Sequence, residues 1–353
     1  MHLHFIPFFA VLISGVLCTF YDYGYDGGYA GPEGDYYVSS LSLGPSTANC
    51  APECTCPFNY PSAMYCDNRK LKVIPMVPAG IQYLYLQSNM IEAIEEDAFK
   101  NVTELKWLIL DHNQLTNGKI KKNAFSSLKH LVKLYISFNN LTELVGPLPK
   151  TMDDLRVTNN KISKITPNIL EGLENLTHIH LQYNALKEDS ISGAFKGLKQ
   201  LEYLDLSFNE LTKLPKGLPP SITTLYFDNN KIANIPDEFF QGFKALQYLR
   251  LSNNKLKDGG VPGNAFNISS LVELDLSFNE LGSIPAVNEG LENLYLQVNK
   301  IQKFNLNSFC KIIGPLEYSK IRHLRLDGNN ISRVDLPQDM YSCLRVASEI
   351  DLG

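Results

Sequence analysis

One eleven-residue pattern, L-x-x-L-x-L-x-x-N-x-L, recurs eleven times in this chain, and its ninth position is Asn in every copy: Asn89, Asn113, Asn139, Asn160, Asn184, Asn209, Asn230, Asn254, Asn279, Asn299 and Asn329. The clearest copies are Leu201-Leu204-Leu206-Asn209-Leu211 and Leu271-Leu274-Leu276-Asn279-Leu281; elsewhere Ile, Val, Met and Phe replace Leu. Successive Asn are separated by 24, 26, 21, 24, 25, 21, 24, 25, 20 and 30 residues. A period near 24 residues means a solenoid, in which each unit covers the apolar face of its neighbour.

The positions have separate tasks. In L-x-L the side chains alternate, so the leucines of a short strand point inward and the x residues outward. Stacked repeats set these strands side by side in a parallel sheet. Each buried Leu contributes roughly 1.5–3 kcal/mol, but only once a neighbouring repeat covers it. The Asn follows the strand, and its amide carries both donors and an acceptor for backbone groups left unpaired at the turn. The expected fold is therefore an α/β solenoid: a curved leucine-rich-repeat arc with a concave parallel sheet. The spacings run short, long, long. Short repeats are entered by Val77-Pro78, Leu148-Pro149, Leu218-Pro219 and Ile284-Pro285; most long ones by Phe99, Phe125, Phe195, Phe240 or Phe266, which should fill the convex side. Five regions follow: an apolar leader at 1–18, a tail at 19–49, a Cys-rich cap at 50–80, ten repeats at 81–304, and a closing segment at 305–353.

The apolar run from Leu3 to Leu17 is too short to span a bilayer and reads as a secretory signal, with cleavage after Cys18. No later segment is long and apolar enough to span one. Of seven Cys, six remain after Cys18 leaves, an even number suited to disulfides in a secreted chain. Cys50, Cys54, Cys56 and Cys66 cluster before the repeats; Cys310 and Cys343 lie near the end. The two groups fit a solenoid that must seal both ends of its core. Cys54 and Cys56 are too close for an easy bond, which leaves Cys50–Cys56 with Cys54–Cys66, or Cys50–Cys54 with Cys56–Cys66. The cluster lacks the paired C-x-x-C spacing of a zinc site.

The tail contains Tyr21, Tyr23, Tyr25, Tyr29, Tyr36 and Tyr37 among Asp22, Asp26, Glu33 and Asp35, and no Lys or Arg precedes Arg69. Gly, Ser and Pro fill much of the remainder, a composition that favours disorder. Tyr beside Asp in a secreted acidic segment suits tyrosine sulfation, which would make a polyanionic arm for basic partners. A net charge of −5 gives no reason to expect nucleic-acid binding.

Five N-glycosylation sequons occur, at Asn101, Asn140, Asn175, Asn267 and Asn330. Asn140 and Asn330 directly follow a ladder Asn, and none of the five falls on an outward strand position. Glycans would decorate edges and the convex side while the concave sheet stays open. Its central outward column reads Tyr85, Ile109, Tyr135, Arg156, His180, Asp205, Tyr226, Arg250, Asp275, Tyr295 and Arg325, flanked by Trp107, His178, Tyr203, Asp228, Tyr248 and Glu273. Aromatic rings mixed with both charges suit a protein ligand. Eleven strands about 4.8 Å apart give an inner wall roughly 50 Å long, which fits a long, narrow partner. Asp205 and Asp275 stand three strands apart, too far to share a proton, and His178 with His180 lacks a third metal ligand. No nucleophile-elbow, P-loop or H-E-x-x-H spacing appears. Neither an enzyme nor a cofactor is expected.

The cluster Cys50-x3-Cys54-x-Cys56-x9-Cys66, the short-long-long rhythm and the final 30-residue spacing together resemble the class II small leucine-rich proteoglycans over residues 19–353. The resemblance implies cap bonds Cys50–Cys56 and Cys54–Cys66, with Cys310–Cys343 closing a protruding "ear" repeat. It implies a secreted matrix protein carrying keratan sulfate on Asn101, Asn140, Asn175 and Asn267. It also implies binding of fibrillar collagen, type I foremost, through concave strands of central repeats, here Tyr203, Asp205, Tyr226, Asp228 and Arg250, with regulation of fibril diameter and spacing. The sequon at Asn330 departs from the family pattern. The rival expectation is a soluble module that binds growth factors, cell-surface receptors or microbial ligands of innate immunity on the same face.

Overall fold

The computed structural model describes residues 50–353 apart from Pro167 and Pro315. The apolar leader and the tyrosine-rich tail, with Tyr21, Tyr23, Tyr25, Tyr29, Tyr36 and Tyr37, lie outside the described residues. Among those described, thirteen three-residue strands form one parallel sheet in sequence order. They are β1 (Ala63–Tyr65), β2 (Tyr83–Tyr85), β3 (Trp107–Ile109), β4 (Lys133–Tyr135), β5 (Asp154–Arg156), β6 (His178–His180), β7 (Tyr203–Asp205), β8 (Thr224–Tyr226), β9 (Tyr248–Arg250), β10 (Glu273–Asp275), β11 (Asn293–Tyr295), β12 (His323–Arg325) and β13 (Glu349–Asp351). Strands β2 to β12 carry the eleven motif copies. The other two lack the motif and cover the ends: β1 continues the sheet from the Cys-rich cap, and β13 pairs with β12. On the convex side turns predominate, with two single-turn helices, α1 (Glu188–Ile191) and α2 (Met340–Cys343).

The central residue of each motif strand is wholly inside, as at Leu84, Leu134, Leu204, Leu249 and Leu294, each with no exposed surface. Phe99, Phe125, Phe195, Phe240 and Phe266 are buried to within 3 % of completeness beneath the long repeats. The ring centroids of Phe99 and Phe125 lie 6.4 Å apart, and those of Phe240 and Phe266 6.3 Å. Two disulfides, Cys50–Cys56 and Cys54–Cys66, close the N-terminal cap, and Cys310–Cys343 ties the final segment.

The ladder Asn does more than fill its own turn. The Nδ2 of Asn209 donates to Leu206 O (3.1 Å) and Ser207 O (3.0 Å) in its own repeat and to Leu181 O (3.0 Å) in the preceding one. Its Oδ1 accepts from Leu186 N (3.0 Å), again in the preceding repeat. Asn279 repeats the set on Leu276, Ser277, Leu251 and Leu256. Each amide thus fastens two repeats and is itself 7 % exposed at both positions.

The residue before each ladder Asn takes the left-handed conformation, a feature that the motif does not announce. Its φ is 53° at His112, Phe138 and Phe208, 55° at Phe278, 53° at Val298 and 70° at Gly328. Bulky and β-branched side chains are rarely found there. The chain must reverse direction between the strand and the buried amide, so the fold imposes the conformation whatever residue occupies the position. The rings that result are half-exposed along one rim: Phe138 stacks on His112 and Phe208 on Tyr183, both with centroids 4.0 Å apart.

Candidate binding face

Because the strands pair in perfect register, outward residues of successive repeats form columns. Asp205 lies beside Tyr226, and Tyr226 beside Arg250; Arg250 in turn lies beside Asp275. Tyr203, Asp205, Tyr226, Asp228 and Arg250 are therefore contiguous on β7–β9 and the residues that follow them. Asp228 sits on the opposite flank from Tyr203, two residues beyond Tyr226.

These five are not all open to solvent. Asp205 and Asp228 are each only 7 % exposed and Asp275 8 %, and in the same column Ile109 and Tyr135 are closed as well. The column expected to be exposed is partly closed because of the spacing of the strands. At about 4.8 Å between strands, a short carboxylate flanked by larger side chains is covered by them. Tyr203, Tyr226 and Arg250 keep the accessible surface, and the aspartates lie beneath.

The buried carboxylates are heavily engaged. Asp228 Oδ1 accepts from the backbone N and Oγ of Ser252, both at 2.7 Å. Asp275 Oδ1 accepts from Ser277 N (2.9 Å) and Oγ (2.6 Å), and Asp205 Oδ1 accepts from Ser207 N (2.8 Å). Arg250 reaches between two of them, its Nε 3.2 Å from Asp228 Oδ2 and its Nη2 3.7 Å from Asp275 Oδ2. The Nε contact is close enough for charge attraction but is not aligned as a hydrogen bond. Arg250 also lies over the Tyr226 ring, 5.3 Å from its centroid, a favourable cation–π geometry.

One guanidinium serves two carboxyls here, with Asp205 and Glu273 nearby, so acidic groups outnumber cations in the patch. Burial pushes the Asp228 carboxyl up to about 7, with the Arg250 charge pulling down and the Asp275 charge pushing up. Burial raises Asp205 as well, against the Ser207 bonds. Burial pushes the Tyr226 phenol up to about 12. Burial alone would lower Arg250, but Asp228 and Asp275 outweigh it and its proton is held more firmly.

Toward the N-terminal side the face is closed differently. Asp154 accepts from the Tyr135 hydroxyl (2.6 Å) and takes both Nη2 (3.1 Å) and Nε (3.3 Å) of Arg156. Arg156 covers the Tyr135 ring at 4.3 Å. His180 stacks at a tilt on Tyr203, 4.5 Å between centroids, and its Nε2 is buried without a hydrogen-bond partner. Burial, with Arg156 adding to it, pulls the His180 imidazole down to about 4, so the ring is neutral.

The five sequon residues Asn101, Asn140, Asn175, Asn267 and Asn330 are all exposed, and none lies on a strand. Among the described residues no group of three or more His, Cys, Asp or Glu could hold a metal ion, and no helix is long and apolar enough to cross a membrane.

Comparison with known proteins decides the family. Leucine-rich-repeat family models match residues 79–144, 150–211 and 220–281, and the leucine-rich-repeat N-terminal domain matches 49–78. The chain is 68 % identical to lumican of Gallus gallus over 352 residues and 62 % identical to lumican of Homo sapiens over 353, in each case covering 100 % of both chains. It belongs to the class II small leucine-rich proteoglycans. Fibromodulin of Homo sapiens is more distant, at 46 % identity over 91 % of this chain and 85 % of the other. Among solved structures, a chain of the octameric complex of Latrophilin 3, Unc5D and FLRT2 superposes with a TM-score of 0.67 at 27 % identity, covering 84 % of this chain and 82 % of that one. The proteoglycan is a secreted extracellular-matrix protein and not an enzyme, as its curated relatives indicate.

Proposed function

We propose that the proteoglycan binds fibrillar collagen through the face centred on β7–β10 and regulates fibril diameter and spacing. The observation that carries this reading is the separation of surfaces. A carboxylate-rich, aromatic patch occupies the inner wall, while every sequon Asn is exposed elsewhere. Tyr203, Tyr226 and Arg250 supply the contact surface. Asp205 and Asp228 lie just beneath it with their carboxyls raised by burial; the basic side chains of a rod-shaped partner would favour their charged form, so that binding and ionisation reinforce each other. Keratan sulfate chains on Asn101, Asn140, Asn175 and Asn267, with Asn330 the least expected, would add bulk and charge on the other faces and hinder fusion of neighbouring fibrils. Sulfated tyrosines among residues 21–37 would add negative charge to the protein.

The test separates binding from spacing. Asp228→Asn keeps the shape of the carboxyl and removes the charge it would take up against a basic partner; it should weaken co-sedimentation with type I collagen about tenfold, roughly 1.4 kcal/mol, while circular dichroism stays that of the parent. Enzymatic removal of the glycans should leave co-sedimentation intact and let fibrils grow thicker in turbidity and microscopy. Fibril growth indifferent to the purified protein would favour growth factors, receptors or microbial ligands as the partner of this face.

A further inference from the structure

Phe138 and Asn140 stand two residues apart on one rim, and only here does an exposed ring precede a sequon at that distance. Of the residues two positions before the other sequons, Phe99 and Leu173 are in the core, and Ala265 and Gly328 carry no ring. Phe138 keeps 45 % of its surface. Its φ of 53° would be easier for Asn or Gly, and Asn159, Asn229, Asn253 and Gly328 hold the same place in other repeats. Neither burial nor backbone conformation accounts for a phenyl ring at this point.

The surroundings fix both groups against one neighbouring loop. The Phe138 ring lies on His112, with centroids 4.0 Å apart and planes within 11°. Asn140 N donates to Leu115 O (3.0 Å), and Thr142 N and Oγ1 both donate to Asn117 Oδ1, at 2.8 and 3.2 Å. Residues 138–142 are thus fastened along 112–117, so ring and sequon are ordered before any sugar arrives, which lowers the entropic cost of their meeting.

We propose that the first sugar of the Asn140-linked glycan packs its apolar C–H face on the Phe138 ring, with His112 as the ring's backing. The negative face of an aromatic ring attracts weakly positive C–H groups, and packing removes apolar surface of both partners from water. The glycan thereby becomes part of the rim and leaves the solenoid in a fixed direction. The proposal rests on glycosylation of Asn140, part of the function proposed above.

Phe208 supplies an internal control. It stacks on Tyr183 at 4.0 Å in the same conformation, yet Glu210 occupies the place of Asn140. The experiment uses the full chain secreted from mammalian cells, with peptide mass spectrometry establishing occupancy at Asn140. Phe138→Ala should lower Tm by roughly 2 °C more in the glycosylated protein than in the Asn140→Gln background, whereas Phe208→Ala should lower it equally in both. The acetamido protons of the first sugar should show an upfield ring-current shift that Phe138→Ala removes. Should Phe138→Ala fail to be secreted, Phe138→Leu keeps bulk without the π face and should lose the same shift. Equal Tm losses in both backgrounds, with Asn140 glycosylated and no ring-current shift, would overturn the packing alone. An unmodified Asn140 would overturn its glycosylation and the packing with it.

Discussion

Between β4 and β6 one guanidinium meets one carboxylate: Arg156 forks onto Asp154, which also takes the Tyr135 hydroxyl. Between β8 and β10 one guanidinium meets two: Arg250 is shared by Asp228 and Asp275. The residue types are the same and the columns are continuous, yet in the first arrangement cation and carboxylate are matched one to one, and in the second the carboxyls outnumber the cation and are raised by burial. The first is a strut across the sheet. The second holds carboxyls just under its surface that a basic partner would draw into their charged form. A repeated fold thus yields different local chemistry on the same strand register.

The largest test of this difference is removal of the two arginines. Arg250→Leu leaves two buried carboxylates without their cation and should cost about 3–5 kcal/mol. Arg156→Leu leaves one, still bonded to Tyr135, and should cost about 2 kcal/mol. Urea unfolding of the two variants measures both, and equal losses would mean that Asp275 draws little from Arg250 across its longer 3.7 Å contact.

The halves should also respond to acid in opposite directions. His180 is lowered from 6.5 to about 4, so the folded state binds fewer protons than the unfolded one across that interval. Its contribution is complete above pH 6.5 and is lost as pH falls toward 4, about 2 kcal/mol by pH 5. Asp228 is raised from 3.8 to about 7, so the folded state binds more protons. Its contribution is present at low pH and is lost as pH rises through 7. In the parent the two trends oppose each other. Relative to the parent, His180→Phe should gain stability at pH 5 over pH 7, and Asp228→Asn should lose it. Urea midpoints at the two pH values decide the point; parallel shifts of both variants would remove the contrast.

What the amino-acid sequence makes legible follows from where each property originates. The strands β2–β12 are visible because L-x-L alternation and the Asn are local, and the register follows from stacking identical units. Strands β1 and β13 are invisible to that pattern. Ala63-Met64-Tyr65 and Glu349-Ile350-Asp351 carry no ladder Asn, and they become strands because a terminal repeat presents an open edge to them. The rim conformation is hidden for a related reason: the motif leaves the residue before Asn unspecified, although the buried amide dictates its φ. In the site, the positions of Tyr203, Asp205, Tyr226, Asp228 and Arg250 follow from the repeat. Their exposure does not, because it depends on side chains one repeat away: Asp205 and Asp228 are covered, and Tyr203, Tyr226 and Arg250 are not. Nothing in the stretch around Asp228 reveals that Ser252 and Arg250 close over it.

The smallest test concerns hydroxyl groups. Tyr135→Phe removes a 2.6 Å bond to the buried Asp154 carboxylate and should cost about 1.5 kcal/mol, the low end for a hydrogen bond to a charged group, because Arg156 remains. Tyr226 engages Arg250 through its ring, and Tyr203 meets it edge to face at 5.7 Å. Tyr226→Phe keeps both contacts and should change stability by less than about 0.5 kcal/mol. The same urea experiment therefore distinguishes a phenol that acts as a strut from one that presents a face. A cost for Tyr226→Phe matching that of Tyr135→Phe would make its hydroxyl structural, and the patch would then lose the feature that marks Tyr226 as contact surface rather than framework.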